Sequence, residues 1–99
     1  MLPINWSQSA RSDMTNIIRF IANENPSAAR HIKTIIEAAI LPVAEHPYLF
    51  RPGRVSGTRE IVAHPNYLVI YRVDAAGITV LGVLHARQAY PAIDEINSR

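Results

Sequence analysis

The chain has 99 residues, of which 48% are hydrophobic and 18% are charged. This length suits one domain, and this balance is typical of globular proteins, so it excludes an intrinsically disordered chain. The sequence contains no cysteine, which excludes disulfides and thiolate metal sites.

The net charge is +2, and nine of the ten cationic side chains are arginine, the exception being Lys33. Arginine presents a planar fork that pairs with carboxylate or phosphate groups. The N-terminus lacks a signal-peptide pattern, and no apolar run reaches the length of a membrane span, so we expect a cytoplasmic protein with no membrane partner. Five arginines of the C-terminal half are candidates for a binding surface: Arg51, Arg54, Arg59, Arg72 and Arg87.

The predicted elements begin with a short edge strand at residues 4–6, followed by two helices. Ser7 or Ser9 can cap the first helix, which ends between residues 23 and 25. Its apolar positions recur at helical spacing, and the polar side chains between them, including Asp13, are predicted to face away from the core. The apolar positions are Ala10, Met14, Ile17, Ile18 and Ile21.

A second helix is predicted immediately after the first, so the two form a hairpin. Asn25 supplies its N-cap and Pro26 its first residue. Pro42 removes a helical hydrogen bond, which predicts a break near Leu41 and a short turn up to residue 46. The apolar stripe of this helix comprises Ala29, Ile32, Ile36, Ala39, Ile40 and Val43.

From residue 58 the hydrophobic period changes from that of a helix to that of a strand. Three runs rich in Val, Ile and Tyr, at 58–64, 67–74 and 78–85, predict an antiparallel meander. In the middle run Val69 and Tyr71 alternate with Leu68 and Ile70, so one face should meet the helices. The other face is partly apolar and is the expected functional face. We place the domain boundary at residue 91, with a polar tail at 92–99.

Five segments together resemble the RelE/ParE superfamily of toxins from type II toxin-antitoxin systems, most closely its ParE-like branch. The resemblance covers nearly the whole chain. It implies an α+β fold, in which an N-terminal strand and an α-helical hairpin pack on a twisted antiparallel sheet of three to four strands. The segments are Trp6, the Asn-Pro-x-Ala-Ala motif at 25–29, the Pro-Gly-Arg-x-x-Gly-Thr-Arg-Glu loop at 52–60, the strand at 67–73, and Val-Leu-His-Ala-Arg-Gln-x-Tyr-Pro at 83–91.

The resemblance also implies a growth inhibitor that a cognate antitoxin neutralises. ParE-like relatives are associated with DNA gyrase and plasmid stabilisation, whereas RelE-like relatives are ribosome-dependent mRNA endonucleases. A third alternative is a degenerate toxin fold without toxicity. Arg59 matches the family's basic residue on the second strand, and Arg87 with Tyr90 resembles its C-terminal pair. With the other arginines near the loop and strands, the residues assigned to target or antitoxin contacts are Arg51, Arg54, Arg59, Arg72, Arg87 and Tyr90.

Chemistry ranks gyrase binding above mRNA cleavage. RNA cleavage through the 2′-hydroxyl needs a proton acceptor, an acid and several cations around the phosphate. The RelE-like lysines have no counterpart here, because Lys33 lies on a helix, and arginine is a poor base. A nuclease would have to use Arg59, His85, Arg87 and Tyr90. Neither a cofactor nor a metal is expected, and we expect Arg59→Ala and Arg87→Ala to leave stability nearly unchanged.

Overall fold

The computed structural model describes residues 1–87, and within them two helices pack on one four-stranded sheet. The predicted boundary at residue 91 and the predicted tail lie outside the described residues. In this part of the chain neither helix is both long and apolar enough to span a bilayer. The elements are β1 (Ile4–Trp6), α1 (Gln8–Ala22), α2 (Pro26–Ile40), a short 3₁₀ helix (Leu41–Ala44), β2 (Arg59–His64), β3 (Tyr67–Asp74) and β4 (Gly77–His85).

Both helices start at the predicted polar caps. The Ser7 hydroxyl accepts the N–H of Ala10 at 3.0 Å, and the Asn25 side chain accepts the N–H of Ala28 at 3.0 Å. Each cap therefore satisfies one backbone donor that the first helical turn leaves without a partner. The predicted break at Pro42 is confirmed, because α2 ends at residue 40 and the chain tightens into the 3₁₀ helix.

The sheet has the strand order β1-β4-β3-β2. The predicted antiparallel meander of β2, β3 and β4 is confirmed, but β1 pairs parallel to β4, so the complete sheet is mixed. Parallel neighbours require a long crossover. Here the helical hairpin and the first two strands of the meander supply that connection.

Apolar side chains cover both faces of the sheet. The main core lies between the helices and the sheet, where Ile36, Val69 and Tyr71 are fully buried. A smaller cluster on the opposite face has Leu68 and Ile70 at its centre, packed against Val55, Leu81 and Leu84. The prediction that the second face is partly apolar is therefore confirmed, and a loop residue helps to cover it.

A β-bulge interrupts the β3–β4 ladder beside α1. Ile70 pairs with Gly82 and Tyr71 with Val80, which leaves Leu81 as the extra residue. Bulges bend a strand and redirect the following side chains. In this case Leu81 joins the cluster on the second face, while Val83 returns to the main core.

Candidate target-binding surface

A concave surface lies where α1 passes the ends of β3 and β4. Tyr67 pairs with His85 across the strands, and their ring centroids are 5.4 Å apart in an edge-on arrangement. His64 contacts the same tyrosine, with ring centroids 5.8 Å apart. The rings of Tyr67 and His85 border a cavity of about 460 Å³, here called the aromatic cavity, lined by Asn16, Ile17, Phe20, Tyr67, His85 and Arg87.

Both histidines beside this cavity stabilise local turns. Nδ1 of His64 accepts the N–H of Asn66, and Nδ1 of His85 accepts the N–H of Arg87, each at 3.1 Å. A ring nitrogen that accepts a hydrogen bond leaves the proton of the neutral imidazole on the other nitrogen. Nε2 is therefore the donor that each neutral histidine retains for a ligand.

Arg59 and His85, two of the four residues that a nuclease would use, lie far apart on the sheet. Arg59 pairs with Tyr71, whereas His85 pairs with Tyr67, four residues away on β3. At the rise of a β-strand this separation is about 13 Å. Arg87 lies beside His85 at the aromatic cavity, and Tyr90 lies outside the described residues. A nuclease site that combines Arg59 with His85 stays a prediction, and this separation counts against it.

Arg59 is bound to the protein's own backbone. Its Nη1 donates to the carbonyl oxygen of Phe50 at 2.7 Å and contacts that of Tyr48 at 3.4 Å. The guanidinium carbon also lies 4.9 Å from the centroid of the Tyr48 ring. The sequence predicts that Arg59 is a surface residue with little effect on stability, but the structure makes it an anchor for the preceding loop.

Two further side chains hold this loop, residues 47–58, which we call the arginine loop. The fully buried Tyr71 donates its hydroxyl to the carbonyl of Pro47 at 2.8 Å. Burial raises the pKa of the Tyr71 phenol, and the charge of Arg59 opposes that rise, so the phenol is a hydrogen-bond donor at neutral pH. Glu60 is buried and accepts Nε of Arg51 at 2.7 Å.

The other predicted binding arginines are distributed over the surface. Arg51 and Arg54 belong to the arginine loop and are exposed, and the Arg51 side chain retains 52% exposure despite its bond to Glu60. Arg72 is exposed near the opposite end of β3 from the aromatic cavity, with Nε 3.7 Å from Asp74. Their role in binding stays a prediction.

Two side chains on α1 have an exposure or a contact that the sequence patterns do not predict. Phe20 is 76% exposed at the rim of the aromatic cavity, three residues after Ile17, and this helical spacing was the available signal. Asp13, predicted to face away, instead contacts β4. Its Oδ2 accepts the N–H of Val83 at 3.0 Å, beyond the last β1–β4 pair at Val80. No local pattern in the sequence signals this contact.

Asp13 is expected to influence stability in an unusual direction. Burial raises the pKa of this carboxyl above 3.8, and the bond from Val83 partly opposes the rise. The protonated form therefore favours the folded state, and this stabilisation is lost as the pH rises through the folded-state pKa. Thermal melts should show that the melting temperature of wild type rises relative to that of Asp13→Asn upon acidification from about pH 7 to about pH 4.

A second substitution separates the hydrogen bond from the charge. Asp13→Ala removes the acceptor of the Val83 N–H and should lower the free energy of unfolding by about 1–3 kcal/mol. Asp13→Asn retains an acceptor oxygen and should cost less at neutral pH. Equal melting temperatures for the Ala and Asn variants would show that this bond contributes nothing.

Among residues 1–87, no three His, Cys, Asp or Glu side chains form a group suited to a metal ion.

A family model and a curated relative both indicate a toxin of a type II toxin-antitoxin system. A family model described as the ParE toxin of the type II toxin-antitoxin system parDE matches residues 4–90. The candidate toxin Y4kP of Sinorhizobium fredii is 34% identical over 91 residues, which cover 91% of this chain and 94% of that protein.

Solved structures show the same fold at lower sequence identity. The chromosomal ParDE system of P. aeruginosa contains a chain that superposes with a TM-score of 0.76 at 20% identity, covering 86% of this chain and 96% of that one. A chain of the E. coli DinJ-YafQ toxin-antitoxin complex gives a TM-score of 0.53 at 15% identity, covering 90% and 97%. These similarities confirm the expected α+β architecture of two helices on a four-stranded sheet.

Proposed function

The chain belongs to the ParE toxin family of type II toxin-antitoxin systems, and from this membership we propose that it inhibits growth by binding DNA gyrase. As a toxin of this kind it has a cognate antitoxin as its partner. Blocking gyrase in the cytoplasm would make loss of the antitoxin lethal, and this dependence stabilises the plasmid or chromosomal region that encodes the pair.

The separation of Arg59 from His85 is the observation that favours gyrase binding over RNA cleavage. Cleavage requires cations and a proton-transfer group around one phosphate. Arg59 lies about 13 Å along the sheet from His85 and is already bound to loop carbonyls. Inhibition by binding has no such requirement, since it needs only a complementary surface.

The described surface offers features of a protein-binding site. The aromatic cavity combines the exposed ring of Phe20 with the cation of Arg87, and aromatic and arginine side chains dominate the energetics of protein interfaces. The arginine loop adds Arg51 and Arg54, held in place by its anchors on β2 and β3. We assign target contacts to these two regions.

An mRNA endonuclease is the alternative, and the adjacency of His85 and Arg87 is the observation in its favour. Two assays with the purified toxin decide between the functions. We expect inhibition of gyrase supercoiling, and intact mRNA when the toxin is added to translating ribosomes. Codon-positioned mRNA cuts that His85→Gln abolishes, together with unimpeded supercoiling, would establish the nuclease instead.

A further inference from the structure

Asp13 also borders a second concave surface, on the sheet face opposite the main core. A trough of about 240 Å³ lies between α1, the arginine loop, β3 and β4. We call it the carboxylate trough, because Asp13 is the only charged side chain among the described residues that line it. The lining residues are Ser9, Asp13, Val55, Thr58, Ile70, Leu81, Gly82 and Leu84.

Only one oxygen of the Asp13 carboxylate is used within the described fold. Oδ2 accepts the Val83 N–H, and among residues 1–87 no donor binds Oδ1. A half-buried carboxylate beside apolar side chains loses hydration, and this loss costs free energy unless a donor or cation replaces the water. Burial has a larger effect on the pKa of the Asp13 carboxyl than the hydrogen bond from Val83 has. The trough therefore presents an incompletely compensated negative charge.

We propose that the carboxylate trough binds one arginine or lysine side chain of the cognate antitoxin. The aliphatic part of such a side chain would lie along Ile70, Leu81 and Leu84, and its cationic end would reach Oδ1 of Asp13. A cavity of this volume can hold one long side chain, whereas a whole helix, about 10 Å across, would not fit into it. The proposal rests on the toxin-antitoxin pairing and is independent of gyrase as target.

The antitoxin is the appropriate donor of this side chain for two reasons. A small inorganic cation would leave the apolar wall of the trough exposed to water. A long cationic side chain can cover that wall with its aliphatic part and bind the Asp13 carboxylate with its charged end. The antitoxin is also the partner that binds a type II toxin in its inactive complex. In that complex, the cation of the antitoxin would offset the free-energy cost of desolvating the Asp13 carboxylate.

Asp13→Asn tests the proposal directly, because the amide oxygen still accepts the Val83 N–H while the charge is lost. Affinity for the antitoxin encoded beside this gene would be measured by isothermal titration calorimetry. We expect binding to weaken by at least about tenfold, the effect of losing one charge-assisted hydrogen bond. The control is Glu24→Gln, which makes the same charge change at the exposed far end of the helical hairpin and should bind like wild type.

Ser9→Arg provides a second variant that does not alter the carboxylate. Ser9 lies one helical turn before Asp13, so the new arginine can occupy the trough from within the chain, and antitoxin affinity should fall again. A double-mutant cycle then identifies the partner residue. Replacing one particular arginine or lysine of the antitoxin with alanine should lower the binding free energy with wild-type toxin but have little further effect with the Asp13→Asn toxin.

Several results would overturn the assignment. Unchanged antitoxin affinity in both toxin variants would reject it, as would weaker binding of Asp13→Asn without coupling to any antitoxin cation. Loss of a wild-type dimer in Asp13→Asn would assign the trough to a second copy of the chain. Loss of growth inhibition with normal antitoxin affinity would assign it to the target. The gyrase assay is read separately, so its failure would leave this test unaffected.

Discussion

Arg87→Ala is expected to abolish growth inhibition while leaving the folded domain intact. Arg87 is exposed after the end of β4, and within residues 1–87 its guanidinium has no hydrogen bond or ion pair. Replacement of such a surface residue changes the free energy of unfolding by about 0.5 kcal/mol or less. Loss of one charge-assisted contact should weaken target binding by about 10- to 100-fold.

Colony counts after induction, together with the melting temperature of the purified variant, test this expectation. Arg30→Ala is the matched control, because it removes the same charge from an exposed side chain on α2, away from the predicted binding residues. It should remain more toxic than Arg87→Ala. Full toxicity of Arg87→Ala would remove the aromatic cavity from the target-binding surface, and a large fall in melting temperature would show a structural role instead.

Arg59→Ala should reduce toxicity by a different route, because it releases the arginine loop. The substitution removes a charged hydrogen bond to the Phe50 carbonyl and the stacking of the guanidinium on Tyr48. Together these contacts should contribute about 2 kcal/mol to the free energy of unfolding. For a domain of this length the melting temperature should fall by about 10 °C.

Limited proteolysis distinguishes release of the loop from general unfolding. Trypsin cleaves after Arg54, and this cut should become faster in Arg59→Ala at temperatures where the domain remains folded. Arg59→Lys should rescue only part of the loss, since lysine lacks the planar fork and stacks less well. Arg30→Ala, an exposed substitution on α2, provides the surface control. If Arg59→Ala matches that control in both assays, Arg59 is not an anchor.

These two arginines show why loss of toxicity alone does not identify a contact residue. The sequence predicts the same role for Arg59 and Arg87, because both are arginines near strand ends in segments that resemble the superfamily. In the structure, Arg87 is exposed at a cavity and Arg59 binds backbone carbonyls. Only the combination of toxicity with stability separates a lost target contact from a displaced loop.

The sequence alone determined the elements of this protein, because their signals are local. Ser7 and Asn25 cap helices through bonds to residues three positions later, and Pro42 ends α2 by removing a bond within one turn. The alternation in residues 67–74 likewise indicated that one face of β3 meets the helices, and the structure shows that this face carries Val69 and Tyr71. The motif order was sufficient to indicate the toxin superfamily.

Only the tertiary structure decided which polar side chains share a surface. Asp13 and Val83 are 70 residues apart in the chain, and Tyr71 reaches Pro47 across 24 residues. The parallel pairing of β1 with β4 similarly joins the two ends of the described chain. Helical periodicity indicates whether a side chain lies on the apolar stripe of a helix. It does not indicate which strand edge lies beside that side chain in the folded protein. For this reason the roles of Asp13 and Arg59 emerged only once the sheet, the helices and the arginine loop were in place.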